Sequence, residues 1–100
     1  MLIVAGTMEV DPDHRDRMLE AVAPMVSATR AEPGCQAYVF SPDPDDPAVV
    51  HLYELWDDQA ALDAHFASDH MAAWRAASAD LPIRKRDIAK YVISEVGTLP

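Results

Sequence analysis

Residues 2–10 are apolar and β-rich, with Leu2, Val4, Gly6, Met8 and Val10 on one face and Ile3, Ala5, Thr7 and Glu9 on the other. Both faces are largely apolar, which predicts a strand covered on both sides. Gly6 in its middle predicts a bulge or a close backbone approach. The period then changes. Met18, Leu19, Val22, Met25, Val26 and Thr29 recur at three and four, the stripe of a helix with one buried face. Asp11 is its expected N-cap and Pro12 its first helical residue, Pro24 predicts a kink, and Glu32-Pro33-Gly34 ends it. Residues 35–41 and 48–56 read as a hairpin around the acidic, proline-rich turn 42–47. On its second strand Val50, Leu52, Glu54 and Trp56 share one face, and Val49, His51, Tyr53 and Leu55 share the other. Asp58 can cap a helix to about Ala67, and Ser68 or Asp69 can cap a second over residues 70–78. Residues 81–86, with Pro82 and three basic side chains, read as a connector, and 87–96 as the last strand.

The order is β-α-β-β-α-β with the second helical element broken in two. That is the α+β, ferredoxin-like arrangement, an antiparallel sheet with its helices on one face, expected here as one domain over residues 1–100. Helices on one side leave the other side of an apolar sheet bare, a larger patch than a monomer normally exposes. A second copy packed sheet to sheet, a homodimer, is the economical way to cover it.

Composition narrows the partners. A net charge of -9, with two lysines and six arginines, argues against nucleic acid and anionic membranes. Cys35 is the only cysteine, so no disulfide forms within the chain, and its thiol reads as a small buried hydrophobe in a reducing setting. The first ten residues lack a basic n-region, and no apolar run approaches the roughly 20 residues of a membrane span. A cytoplasmic protein is expected. With three glycines, and no P-loop, dinucleotide fingerprint or Gly-x-Ser-x-Gly elbow, phosphate cradles and nucleophile elbows are not on offer.

Residues 48–74 hold the remaining chemistry. His65 and His70, five apart, would lie about 140° apart on a continuous helix, but a break at Ser68-Asp69 can bring them together. Glu54 would then complete a two-histidine, one-carboxylate set. The helical zinc signature is absent, however, and no metal is expected. Acid–base chemistry is the stronger reading: His65 or His70 takes a proton from a weakly acidic substrate, and Tyr53, Trp56, Phe66 and Trp74 wall a flat, apolar cavity. The plainer alternatives are that Trp56 and Trp74 are core anchors and that His65 merely bonds Glu54 across the strand–helix interface. Glu54 needs a partner on its apolar face, with Arg75 or a histidine as the candidates. His14 reads as a surface residue, and His51 as one that faces the dimer interface.

The run Arg30-Ala-Glu-Pro-Gly-Cys-Gln-Ala-Tyr38, then Tyr53-Glu-Leu-Trp56, Leu62, His65, Ser68 and His70 and the closing strand, resembles the antibiotic biosynthesis monooxygenase family over nearly the whole chain. The resemblance implies a homodimeric α+β barrel with a pocket between sheet and helices. It also implies oxidation of a small aromatic, such as a quinol, anthrone or phenol, by O2 without metal or flavin. On that basis His65 is the expected base or orienter, Glu54 its partner and His70 a second proton-transfer residue, with Trp56, Phe66, Trp74, Tyr53, Thr7 and Arg75 around the substrate. Haem-degrading relatives use an asparagine on the first strand, where this chain has Thr7, together with a helical tryptophan and histidine. Here the matching helical positions hold His65 and about Arg75, so haem degradation is not expected. The same scaffold also hosts isomerases and members without demonstrated activity, so an isomerase of a small carbonyl metabolite and a non-catalytic binding module are the alternatives.

Overall fold

The computed structural model describes residues 1–100. Its elements are β1 (Leu2–Val10), α1 (Arg15–Arg30), β2 (Cys35–Pro42), β3 (Val49–Trp56), α2 (Gln59–Phe66), α3 (Asp69–Ser78) and β4 (Ile83–Val92), with one 3-10 turn, Pro12–His14, before α1. The strands form one antiparallel sheet in the order β2-β3-β1-β4. This is the ferredoxin-like arrangement, with the helices on one face.

Register explains which side chains meet the helices. Leu2, Val4 and Met8 of β1 stand opposite Trp56, Glu54 and Val50 of β3. Tyr38 and Phe40 of β2 stand opposite Glu54 and Leu52. Because side chains alternate along a strand, all of these share the inner face. Val22, Met25 and Leu62 pack there with Leu2, Val4, Tyr38, Leu52 and Trp56, while Met18 joins Met8, Val10, Val50 and Leu81 at the other end. Gly6 allows the close approach its position predicted: a Cβ there would collide with the Asp87 carbonyl oxygen and the Ile88 Cα of β4. The irregularity in that pairing lies instead between Glu9 and Val10. Gly34, at φ +84°, makes the left-handed turn from α1 into β2.

Three sequence expectations change. Asp11 caps the 3-10 turn, its Oδ1 accepting from the Asp13 N–H at 2.9 Å, and α1 proper starts at Arg15. The helix spans Arg15–Arg30 with Pro24 inside it. The basic segment 83–86 is strand rather than connector, and β4 stops at Val92 rather than at residue 96. As an edge strand, β4 can carry alternate charged residues in solvent while Ile83 and Ile88 face the core, a pattern that hides its periodicity. The outer sheet face is uncovered within the chain: Val39, Tyr53 and Tyr91 are 37%, 41% and 57% exposed. No helix is long and apolar enough to cross a membrane.

Candidate active site

A cavity of about 280 Å³ opens between the inner face of the sheet and α2–α3. Phe40, Phe66, Met71 and Trp74 supply much of its apolar wall, and Tyr38, Glu54, His65 and Arg86 its polar groups. Two larger depressions flank β2, but Arg30 is the only charged residue in either, so the chemistry sits in the smaller one.

His65 is the centre of the site and is 1% exposed. Its Nδ1 lies 2.9 Å from Glu32 Oε2, and its Nε2 lies 3.4 Å from the Tyr38 hydroxyl. The carboxylate can only accept, so Nδ1 carries the hydrogen and Nε2 keeps its lone pair towards Tyr38, whose O–H donates to it. Trp56 lies behind the imidazole with ring centres 4.9 Å apart, and Tyr38 meets its edge at 5.2 Å. Burial lowers the pKa of His65 against the opposing pull of Glu32, which favours the neutral ring. Burial raises the Tyr38 phenol, with Glu54 and Glu32 adding to the shift, so the hydroxyl stays protonated.

Local geometry assembles this group from three places. α1 ends in a turn in which the Glu32 N–H donates to the Thr29 carbonyl at 3.0 Å, projecting the carboxylate over the helical layer. Ser68 breaks the path between α2 and α3: its Oγ donates to the His65 carbonyl at 2.6 Å and accepts from Met71 N–H at 3.3 Å. That break brings His70 round to within 5.9 Å of His65, centre to centre. His70 Nε2 stands 3.0 Å from Glu32 Oε1, at ion-pair distance but out of hydrogen-bond alignment.

Glu54 does not partner His65. Its Oε1 accepts from the Trp56 indole N–H at 2.8 Å, because residues two apart on one strand face are neighbours. Burial raises Glu54 to about 7, opposed by the Trp56 bond and aided by the charge of Glu32. The carboxyl lines the cavity and changes charge near neutrality.

The other sequence candidates divide. Phe66 and Trp74 line the cavity, whereas Trp56, fully buried, supports His65 from behind. Tyr53 and Thr7 lie on the outer sheet face, since Thr7 pairs with His51 and Tyr53 with Ala5, all of outward parity. Arg75 turns away and donates to the Phe66 carbonyl at 3.1 Å. His14 is half-buried beside Asp11, and His51 is held by Asp43 at 2.6 Å. Cys35 is only half-buried, with its thiol pushed up by burial and by Glu32 and Glu54. Sequence reasoning missed three polar residues of the site. Tyr38 was recoverable from hairpin parity, which sets it opposite Glu54, and Arg86 from β4 parity opposite Met8. Glu32 carries no periodic signal, because it reaches the site from a turn.

Fold and site together define a small α+β domain that encloses an apolar chamber edged by one imidazole, one carboxyl and one phenol. The family model "Antibiotic biosynthesis monooxygenase" matches residues 1–77, and the chain belongs to that family. A Synechocystis relative, the uncharacterized protein sll1783, is 32% identical over 98% of this chain and 67% of its own length. "Putative monooxygenase Rv0793" of Mycobacterium tuberculosis is 34% identical over 73% of this chain and 71% of its own. The solved structure of Rv0793 superposes with a TM-score of 0.77 over 99% of this chain and 98% of that one, at 27% identity. A crystal structure from Deinococcus radiodurans, a "putative antibiotic biosynthesis monooxygenase", reaches 0.89 over 100% and 99%, at 26% identity.

Proposed function

We propose that this chain is a monooxygenase that oxidises a small electron-rich aromatic with O2 in the chamber beneath α2 and α3, using no metal or flavin and acting as a homodimer. The observation that carries the reading is the buried Glu32–His65–Tyr38 chain opening on an apolar cavity that also holds Glu54. At about 280 Å³ the cavity falls just below the roughly 300–1,000 Å³ of ligand pockets, which fits one or two fused rings better than four.

The chemistry needs few groups. A base removes a proton from the phenol or activated CH2, and the resulting anion passes an electron to O2. Recombination forms a C–O bond and a peroxide. Loss of the second proton with cleavage of the O–O bond leaves a carbonyl and water, so one CH2 and one O2 become one C=O and one H2O. His65 Nε2, held by Glu32 and bridged to the cavity by Tyr38, takes the first proton, and Glu54 is placed to serve the second. Arg86 offers charge for the developing anion.

Oxygen uptake with simple quinols and anthrones tests this reading. Tyr38→Phe keeps the ring and removes the bridge, and should lower kcat roughly 10²-fold at similar KM. Uptake no faster than in buffer with every substrate, or an unchanged rate in Tyr38→Phe and Glu32→Gln, would remove the proposal. A second reading draws on Glu54: a carboxyl raised to about 7, facing a cavity that also holds a tyrosine hydroxyl, suits proton shuttling next to a carbonyl. Solvent deuterium exchange into a carbonyl substrate without O2 consumption would select that isomerase chemistry.

A further inference from the structure

Two residues of the proposed proton path, Glu32 and His65, also belong to a second cluster. Glu32, His65 and His70 reach one point from the turn after α1, from α2 and from the first turn of α3, and one ligand atom from each lies within 4.8 Å of the others. We propose that these three side chains form a binding site for a divalent transition-metal ion of the zinc type. Two imidazole nitrogens with one carboxylate suit zinc, cobalt or nickel, and do not suit magnesium or calcium, which prefer all-oxygen shells.

Several features argue for this ligand class. Two atoms bound at about 2.1 Å to a tetrahedral ion stand roughly 3.4 Å apart, so closing the set needs movements of about an ångström or less. His65 is held rigidly against Trp56, while His70, at 23% side-chain exposure, has room to move. His70 Nε2 is buried with no aligned hydrogen bond, so turning it to an ion costs no existing bond. His65 would bind through Nδ1, replacing the Glu32 contact, and its hydrogen would then sit on Nε2 and be donated to the Tyr38 oxygen 3.4 Å away. A ligating histidine commonly donates its other ring N–H in this way. With that hydrogen in place, His65 cannot act as a base towards the cavity, so metal loading and proton abstraction by His65 exclude one another.

Titration calorimetry of the metal-stripped full chain with Zn2+, and visible absorption with Co2+, test the site. One ion per chain is expected, with Co2+ giving the d–d bands of nitrogen and oxygen ligation. Glu32→Gln and His70→Ala should each weaken binding about tenfold or more. His51→Ala, which disrupts the exposed Asp43–His51 pair, should leave it unchanged. The variants sit at partly exposed positions, and far-ultraviolet circular dichroism checks that they remain folded. Absence of saturable binding in the unmodified chain, or binding lost in His51→Ala and retained in Glu32→Gln and His70→Ala, would overturn the assignment.

Discussion

Glu54 and His65 face one cavity, and burial moves each of them towards its uncharged form. Glu54 is raised to about 7, so the fold binds its proton more tightly than the unfolded chain does. Its contribution to stability is full below the unfolded pKa of 4.5 and is lost as pH climbs to about 7. The shift corresponds to about 3 kcal/mol at most, since the carboxyl is mostly but not wholly buried. Glu54→Gln keeps an acceptor for the Trp56 indole and cannot ionise. Urea unfolding at pH 5 and pH 8 should therefore show a clear gain for Glu54→Gln over the parent at the higher pH only. His65 acts in the opposite sense, because its lowered pKa costs stability on acidification, and this cancels in the difference between the two proteins. In the proposed mechanism Glu32 acts through His65, as a positioning residue. Glu32→Gln should lower kcat about tenfold or more while leaving KM nearly unchanged, and should displace the acidic limb of the pH–rate profile. An unaltered profile would make the Glu32–His65 pair merely structural.

At the scale of elements, the site depends on where helices stop and strands touch. Ser68 ties the end of α2 to the start of α3, and Ser68→Ala should cost about 1 kcal/mol in chemical denaturation. The same change should loosen the approach of His70 to Glu32. Gly6 is needed because β4 passes too close for a side chain, so Gly6→Ala should cost about 3 kcal/mol or more, read as a large fall in Tm. These cases also explain what was legible beforehand. The β-rich runs at residues 2–10 and 48–56, the three-and-four spacing from Met18 to Thr29 and the caps Asp58 and Ser68 are local signals, and the elements they mark are present. β4 was mis-bounded because an edge strand tolerates Arg84, Lys85 and Arg86, which mask its apolar positions. His65, Phe66 and Trp74 were recognisable by type and place as candidates, and all three line the cavity. Their partners were not, because which carboxylate meets His65 depends on a turn 33 positions away in the chain.

At the scale of the molecule, one sheet face is packed and the other is bare. Ile3, Leu55, Val39, Tyr53 and Tyr91 present outward, and Tyr53 fits this apolar surface rather than a substrate wall. A sheet-to-sheet homodimer covering about 800 Å² per copy would bury them. Sedimentation velocity should find dimers at micromolar concentration, and Tyr53→Asp should shift the population to monomer. A folded monomer before substitution would leave the bare face unexplained. The central claim is more local: a neutral imidazole, its Nδ1–H given to Glu32, turns an unprotonated Nε2 to the Tyr38 hydroxyl at the edge of the chamber. Long-range 15N NMR of the histidine rings tests it most directly. The account predicts that His65 holds the neutral Nδ1–H form from pH 6 to pH 8 and that an aromatic ligand perturbs its Nε2. A charged ring, or the Nε2–H form in the metal-free protein, would contradict it.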